Sequence, residues 1–203
     1  MIQLIETADD PQEHAVLRGM FAARKQVFVD LLKWDVPVIA DAFEIDQFDD
    51  SHARYLVLTD GAGGHLASAR LLPTMRPHLL DSLFPELCED APPAANDVFE
   101  ITRFCLDRSL SARERRSVRD TLIVALVDHA RATGIRAYTA IAEIGWFQQI
   151  LSLGWRCRPL GLPRTIGGAM LAAVEIVIDA DTRAKLAAAG VADAPAPATA
   201  QAA

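Results

Sequence analysis

The stretch VFEITRFCLD, residues 98–107, decides the fold, because it opens a strand–helix–strand unit. Its apolar and β-branched residues predict a strand. Ser111 can cap a helix that runs to about Thr133, and Gly134 can end that helix. Arg136–Ala142 is the next predicted strand. A connection of this kind is expected to cross over in the right-handed sense.

Further elements on both sides of this unit follow from apolar periodicity and turn signals. Strands are predicted at Ile2–Ile5, Ala53–Thr59, His65–Leu72, Trp155–Leu160 and Ala169–Ile178, and helices at about 16–31, 78–83 and 145–153. The GAGG turn at residues 61–64 joins two of these strands as a hairpin. This order predicts the α/β class, as a three-layer α/β/α sandwich with a mixed, mostly antiparallel central sheet.

Length and C-terminal composition set the expected domain organisation. The 203 residues suit one domain with a sizeable core, which we place at residues 1–180. Residues 181–203 are rich in alanine and proline, and we expect them to form a disordered tail.

Charge and cysteine content exclude several classes of function. The net charge of −7 argues against nucleic acid as the main partner. The three cysteines share no close spacing, so we expect reduced thiols in a cytoplasmic protein, without a zinc site. The first residues lack the basic and then apolar pattern of a signal peptide, and no apolar run reaches the roughly 18 residues of a membrane span.

An acidic segment, EIDQFD at residues 44–49, is the first candidate for a functional site. Asp46 and Asp49 could belong to a solvated loop, but Ile45 and Phe48 should anchor the segment inward. Clustered carboxylates are costly unless a cation shares their site. Arg70 could supply that charge, and so could a substrate that carries an ammonium and a sulfonium group.

Two further groups of residues could contribute to the same chemistry. Arg24 and Phe28 lie four residues apart and share a helix face, while Trp34 follows as either a stacking platform or a core plug. Glu100 and Arg103 lie three apart on a predicted strand, so on a regular strand they would face opposite sides. If both serve one site, we expect a bulge between them.

Five arginines gather at the predicted start of the long helix: Arg108, Arg113, Arg115, Arg116 and Arg119. Together with the free N–H groups of a helix N-terminus they could bind phosphates or an acidic protein face, or they could form a solvated patch. Dinucleotide, P-loop, nucleophile-elbow and metal-ligand motifs are absent from the sequence. We therefore expect neither a cofactor nor a metal.

Taken together, these residues resemble the acyl-homoserine lactone synthases, which make bacterial quorum-sensing signals. The resemblance runs from about Met1 to Leu162 and is carried by the strings RxxVF, EIDQFD, ASARLLP and FEITRF. Eight positions match the family's set in order and spacing: Arg24, Phe28, Trp34, Asp46, Asp49, Arg70, Glu100 and Arg103. The resemblance implies an N-acetyltransferase-like fold, although residues 112–117 lack the glycine usual in the pyrophosphate loop of acetyltransferases.

The resemblance also implies a reaction. The amine of S-adenosylmethionine attacks an acyl thioester, carried by CoA or by acyl carrier protein, and the methionine carboxylate then closes the lactone and expels methylthioadenosine. Glu100 is the candidate base, directly or through a water, while Arg103, Asp46, Asp49 and Arg70 complete the implied catalytic set. A monomer or a weak dimer is expected. An acyl-CoA N-acyltransferase that acts on another amine, and a non-catalytic ligand-binding protein, are the alternatives.

The remaining implied roles concern the two substrates. The S-adenosylmethionine pocket is assigned to Arg24, Phe28, Trp34, Phe84 and Arg103, and the acyl pocket to Ile101, Phe104, Ala140, Ala142, Trp146, Phe147 and Ile150. The five arginines listed above are assigned to the carrier. Because Trp146 and Phe147 are bulky, we expect a short, branched or aromatic acyl group; Trp146 could equally be a core residue.

Overall fold

The computed structural model describes residues 1–5 and 15–191. Its helices are α1 (Ala15–Arg24), which continues as a π-helix (Lys25–Leu31), α2 (Leu79–Ser82), α3 (Ala112–Thr133), α4 (Ile144–Ser152) and α5 (Thr182–Ala188), with a 3-10 turn at Pro85–Leu87. Its strands are β1 (Ile2–Ile5), β2 (Val38–Ile39), β3 (Phe43–Glu44), β4 (Arg54–Thr59), β5 (His65–Pro73), β6 (Val98–Leu106), β7 (Ala137–Glu143), β8 (Arg156–Pro159), β9 (Arg164–Ile166) and β10 (Ala169–Val177). None of the helices in these described ranges is long and apolar enough to cross a bilayer.

Eight strands form one mixed sheet. Their order is β1-β4-β5-β6-β7-β10-β8, with β9 also paired to β10, while β2 and β3 form a separate pair. Strands β6 and β7 are parallel, as the strand–helix–strand unit requires, and the pairs β1–β4, β7–β10, β10–β8 and β10–β9 are antiparallel. The prediction of an α/β fold with a mixed, mostly antiparallel sheet is confirmed.

The described chain divides into two compact units. Among the described residues, the first unit holds 1–5, 15–70 and 103–125, and the second holds 71–102 and 126–191. The prediction of one domain over residues 1–180 stays a prediction. In the first unit, side chains such as Leu17, Phe21 and Tyr55 are almost fully buried.

In the second unit, one face of β7 packs on the long helix. Tyr138 is fully buried, and its hydroxyl donates a hydrogen bond of 3.0 Å to the carbonyl of Leu126 in α3. Side chains alternate across a strand. Ala140 and Ala142 therefore project from the same face of β7 as Tyr138.

Helix α3 begins and ends where the sequence predicts. Its start is a capping box, since the Ser111 N–H donates to the Glu114 carboxylate at 2.9 Å and the Glu114 N–H donates to the Ser111 hydroxyl at 3.4 Å. After Thr133 the chain turns at Gly134, which has a φ of +77°, a value that favours glycine.

The segment Leu79–Glu89, which we call the strap, carries α2 and the 3-10 turn. Leu80 and Leu87 are fully buried and pack with Leu160 and Ala173. The Glu89 N–H donates to the Leu160 carbonyl at 2.8 Å, which ties the end of the strap to the chain after β8. A Cβ on Gly161 would lie 2.6 Å from the Leu87 carbonyl oxygen, so this tie requires a residue without a side chain.

The structure corrects the sequence predictions at three places. The first helix, predicted at about 16–31, changes to π-helix after Arg24, and Leu31 at its end is 53% exposed. Residues 32–50, where the sequence predicts neither helix nor strand, contain the β2–β3 pair. The disordered tail is wrong for residues 181–191, because α5 forms there and buries Leu186; residues 192–203 of that prediction lie outside the described chain.

Candidate active site

The first unit contains a buried cluster of six charged side chains. Three guanidinium groups alternate with three carboxylates, and no side chain among them is more than 8% exposed. The members are Arg24, Arg70, Arg103, Glu44, Asp46 and Asp49. We call this set the ionic ring.

Each arginine of the ionic ring bridges two carboxylates. Arg24 donates to Glu44 at 2.5 Å and to both oxygens of Asp49 at 2.8 Å. Arg70 contacts both oxygens of Asp46, at 2.6 and 3.0 Å, and one oxygen of Asp49 at 2.8 Å.

Arg103 closes the ring. Its Nε and Nη2 donate to one oxygen of Glu44 at 3.1 and 3.0 Å, and Nη2 also contacts Asp46 at 2.7 Å. Every carboxylate therefore meets two arginines, and the six formal charges cancel. Buried charges need such pairing and hydrogen bonding. The sequence offered Arg70 or a cationic substrate as the source of positive charge for the acidic segment, and in the structure Arg70 supplies it together with Arg24 and Arg103.

The local backbone holds the acidic members in place. Asp46 accepts a hydrogen bond from the Phe48 N–H at 2.9 Å, and Asp49 accepts one from the Asp46 N–H at 2.8 Å. Phe48 is 8% exposed and lies under the Arg70 guanidinium at 5.9 Å. The segment is thus anchored inward at Phe48, as the sequence indicates.

Tyr55 extends the ionic ring. Its hydroxyl donates to Asp49 at 2.8 Å. Burial raises the pKa of Tyr55 above its ordinary value, and the Asp49 charge adds to that effect. For Asp49 itself, burial opposes ionisation, but Arg24 and Arg70 outweigh it and hold the pKa of the carboxyl below its ordinary value.

Two aromatic rings border the ionic ring. Phe28 and Trp34 are stacked, with ring centroids 4.8 Å apart and planes inclined by 15°. The Arg103 guanidinium lies 5.7 Å from the Phe28 centroid and 5.9 Å from the Trp34 centroid. Phe28 is buried, whereas Trp34 is 37% exposed, so the stack presents one ring to solvent.

Arg103 has an unusual backbone. Its φ of +49° lies in the left-handed region, which costs free energy for a residue with a side chain. A bulge between Glu100 and Arg103 was expected if both residues serve one site, and it stays a prediction; the structure shows a left-handed backbone at Arg103 itself. The conformation turns this side chain toward Glu44 and Asp46.

Glu100 belongs to the second unit and is fully buried. One of its carboxylate oxygens accepts the N–H of Leu79 at 2.8 Å, and the other accepts the N–H of Leu80 at 3.1 Å. Glu100 thereby caps the first turn of α2. Phe84, assigned to the S-adenosylmethionine pocket, is half-buried in the strap and packs on the cluster that includes Leu80 and Leu87.

The residues assigned to the acyl pocket fall in several elements. Ile101 on β6 pairs with Ala140 on β7, so both project from one face, together with Ala142. Phe147 and Ile150 are buried in α4, while Trp146 is half-buried. Phe104, in the first unit, is half-buried on β6. Their contact with an acyl group stays a prediction.

The five arginines of the predicted carrier site lie at or before the start of α3 in the first unit. Arg108, Arg113 and Arg116 are exposed. Arg115 donates to the Arg108 carbonyl at 3.2 Å, and Arg119 is paired with Asp120 at 2.6 Å. Three of the five thus present their charge to solvent.

Sequence reasoning named four members of the ionic ring as catalytic and Arg24 as substrate-binding, but it missed Glu44 and Tyr55. Glu44 is the first residue of the EIDQFD string. Its place directly before Ile45, which was expected to anchor the segment inward, is the sequence signal that could have identified it. Among the described residues, no group of three or more histidines, cysteines and acids could hold a metal ion.

Comparison with known proteins identifies the family. The family described as "Autoinducer synthase" matches residues 9–186. The acyl-homoserine-lactone synthase of Ralstonia nicotianae (strain ATCC BAA-1114 / GMI1000) is 35% identical over 181 residues, which cover 86% of this chain and 88% of the relative.

Solved structures agree as well. TofI, in a ternary complex with an inhibitor and MTA, is 29% identical with a TM-score of 0.78, and the match covers 92% of this chain and 96% of TofI. BjaI, a CoA-dependent acyl-homoserine lactone synthase solved with SAM and isopentyl-CoA, is 26% identical with a TM-score of 0.81, covering 93% and 87%.

The fold has an N-acetyltransferase-like architecture, and the family match makes the protein an acyltransferase. Helix α3 and the mixed sheet provide that architecture. The chain belongs to the autoinducer synthase family.

Proposed function

We propose that this enzyme joins the amine of S-adenosylmethionine to the acyl group of a thioester and then closes the product to an N-acyl-L-homoserine lactone, with release of methylthioadenosine. The observation that carries the proposal is the closed ionic ring with its stacked Phe28 and Trp34 rings. The relatives support it, because the Ralstonia nicotianae protein and BjaI are acyl-homoserine-lactone synthases. We also propose a cytoplasmic location and no cofactor beyond the two substrates.

Recognition of S-adenosylmethionine is assigned to the aromatic stack and Arg103. The exposed face of Trp34 suits an adenine ring or the sulfonium charge, both of which are attracted to an aromatic face. Arg103 engages the ionic ring through Nε and Nη2. Its Nη1 is the donor we assign to the substrate carboxylate, since a guanidinium presents five N–H groups in a fixed fork.

Glu100 is assigned the role of general base. The substrate amine must lose a proton before it attacks, and a carboxylate held in a fixed position can accept it, directly or through a water. Each Glu100 oxygen accepts one backbone N–H from the strap, and these two hydrogen bonds fix the position of the carboxylate. The sulfur leaving group departs neutral in the lactone-closing step and needs no acid.

The thioester oxygen gains negative charge in the transition state and requires donors aimed at it. Backbone N–H groups beside Arg103 are the candidates, because the left-handed conformation at this residue interrupts the regular strand. The acyl chain is assigned to the face of Ile101, Ala140 and Ala142, whose registers place them together. The exposed arginines before and in α3 are assigned to the phosphates of CoA or to acyl carrier protein.

The test is thiol release from a panel of acyl-CoAs and acyl carrier proteins, with and without S-adenosylmethionine, followed by mass spectrometry of the extract. Release that depends on S-adenosylmethionine and gives a homoserine lactone supports the proposal. Release without that dependence identifies an N-acyltransferase for another amine. Binding of S-adenosylmethionine with no release for any thioester points to a non-catalytic protein.

A further inference from the structure

Helix α4 carries two buried side chains of the assigned acyl pocket, Phe147 and Ile150. The helix packs on β7 and β10, and it begins at Ile144, directly after the strand that carries Ala140 and Ala142. The position of α4 therefore decides how much room an acyl chain has beside that strand, a step that rests on the proposed function.

The C-terminal end of α4 is held by the residues that follow it. The indole N–H of Trp155 donates to the Ile150 carbonyl at 2.8 Å, and Trp155 is itself buried. Between these two residues, Gly154 turns the chain with a φ of +89°. Helices commonly end on a residue in this left-handed conformation, which glycine adopts without strain. Helix α4 therefore ends in a turn that favours glycine.

Helix α5 lies directly against this turn. A Cβ on Gly154 would lie 2.7 Å from the Lys185 carbonyl oxygen and 2.9 Å from the Ala189 Cβ. Lys185 belongs to α5, and Ala189 is its C-cap. Because a real Cβ essentially never makes contacts this short, α5 occupies the space that a side chain at Gly154 would need. The end of α4 and α5 therefore cannot move independently.

The close contact is a property of this helix end and not of the left-handed turn. Gly134 ends α3 in the same way, with a φ of +77°. A Cβ on Gly134 would meet no atom of the described residues within 4 Å. The two glycines therefore share a backbone conformation, but only Gly154 is pressed against a second helix.

Helix α5 is itself anchored at its start and in its middle. Asp179 accepts a hydrogen bond from the Thr182 hydroxyl at 2.9 Å and one from the Lys185 ammonium at 3.0 Å. Leu186 is fully buried, which removes its apolar side chain from water. An anchored helix resists displacement, so α5 fixes the end of α4.

We infer that α5 positions α4 and thereby determines which acyl groups the enzyme accepts. The contact runs from α5 to Gly154, and through the turn to Phe147 and Ile150. Gly154 and Leu186 are positioning residues, because each acts on the substrate through α4. A hydrophobic pocket discriminates roughly 10–200-fold between ligands that differ by one methylene. A small displacement of α4 is therefore enough to change the preferred acyl group.

The test compares the two helix-ending glycines. Gly154→Ala places a methyl group against α5, whereas Gly134→Ala introduces the same unfavourable φ without that contact. The measured quantity is kcat/KM for a longer acyl thioester divided by kcat/KM for the preferred one. Gly154→Ala should change this ratio about tenfold, the low end of discrimination for one methylene. Gly134→Ala should keep the wild-type ratio, and the KM for S-adenosylmethionine should stay unchanged in both variants.

A second pair of variants loosens α5 without straining the backbone. Leu186→Ala removes a fully buried side chain from α5, and Leu17→Ala removes an equally buried one from α1 in the first unit. Both variants should be less stable than the wild type, because each leaves a cavity. Leu186→Ala alone should change the ratio, in favour of longer acyl groups, since α4 loses the helix that fixes it. This pair decides the matter if Gly154→Ala does not fold.

The outcomes separate this inference from the proposed function. If the wild type makes no lactone from any thioester, the proposed function fails and the inference fails with it. If the wild type is active and Gly154→Ala gives the same ratio as Gly134→Ala, α5 does not determine acyl selection, while the proposed function stands. A Leu186→Ala variant that loses activity equally for all acyl groups, or a Leu17→Ala variant with the same altered ratio, also overturns the inference.

Discussion

Glu44 divides its two carboxylate oxygens between Arg24 and Arg103, two arginines that lie 79 residues apart in the chain. Glu44 is fully buried. Loss of its charge would leave the ionic ring with three guanidinium groups and two carboxylates. A buried charge without its partner is more costly than the pair was favourable.

Glu44→Gln should therefore lower the free energy of unfolding by about 3–5 kcal/mol. Urea denaturation followed by circular dichroism measures this change. Asp35→Asn removes an acid of the same charge from an exposed position and is the control, with little expected change. Equal stability of Glu44→Gln and the wild type would show that the ring charges are not interdependent.

Glu100 caps α2 and is also the proposed general base, and a substitution must separate these two roles. Glu100→Gln should cut turnover by roughly 10²–10⁴-fold if Glu100 is the general base. It should also lower stability by about 1–2 kcal/mol, because an amide nitrogen cannot accept the strap N–H that a carboxylate oxygen accepts.

Asp81→Ala provides the matching control for the strap. Asp81 caps the same short helix by accepting the His78 N–H at 2.8 Å, but its carboxylate lies outside the assigned chemistry. We expect a similar loss of stability with near-normal turnover. If Asp81→Ala loses as much turnover as Glu100→Gln, then Glu100 acts by holding α2 and not as a base.

At the scale of elements, α3 offers a test of carrier binding. Arg113 and Arg116 are exposed near its N-terminus, and Arg131 is exposed in its last turn. The double variant Arg113→Ala, Arg116→Ala should raise KM for the acyl thioester several-fold at low salt, with a smaller effect at high salt, because exposed charges are screened. Arg131→Ala should leave KM unchanged. If Arg131→Ala raises KM as much as the double variant does, the arginines at the start of α3 are not the carrier-binding site.

Helix α4 offers a test of acyl-chain length. Trp146 is half-buried there, and its removal should admit longer acyl chains if it limits the acyl pocket. The lactones formed by Trp146→Ala from a series of acyl thioesters, separated by mass spectrometry, measure the effect. Gln148→Ala, at an exposed position of the same helix, is the control. An unchanged length profile would mean that Trp146 is a packing residue.

The elements also show what a sequence can and cannot predict here. Capping at Ser111 and turning at Gly134 are local signals, and both bounds of α3 follow from them. The π-helix depends on tertiary packing, which local sequence does not reveal. The same holds for α5, whose alanine-rich composition led to the prediction of a disordered tail. Glu44 was missed as a ring member because its partner Arg103 lies 59 positions away and is reached through a left-handed backbone.

At the scale of the whole molecule, the ionic ring sets how stability depends on pH. Burial opposes ionisation of Asp49, but Arg24 and Arg70 hold its pKa below the ordinary value. As the pH falls, the Asp49 carboxyl is therefore protonated at a higher pH in the unfolded chain than in the folded protein. The stabilisation is present above about pH 4, the unfolded pKa of an aspartate, and is lost at lower pH.

Urea midpoints measured from pH 6 down to pH 3 should fall steadily for the wild type, with a shallower fall for Asp49→Asn. Asp179 serves for comparison: hydrogen bonds from Arg156 and Lys185 also lower its pKa, but it lies at the surface, where solvent screens such pairs. Asp179→Asn should keep most of the wild-type slope. A wild-type midpoint that does not change with pH would contradict this account.

The closed ionic ring also restricts how this protein can evolve. Each member forms ion pairs with two residues of opposite charge, so a substitution that removes one charge leaves two buried neighbours with one partner fewer. A neutral path through sequence space therefore needs an acid and a base to be replaced together, and such coincident replacements are rare. A lineage that has acquired the ring is expected to keep all six side chains or to lose the catalytic architecture altogether.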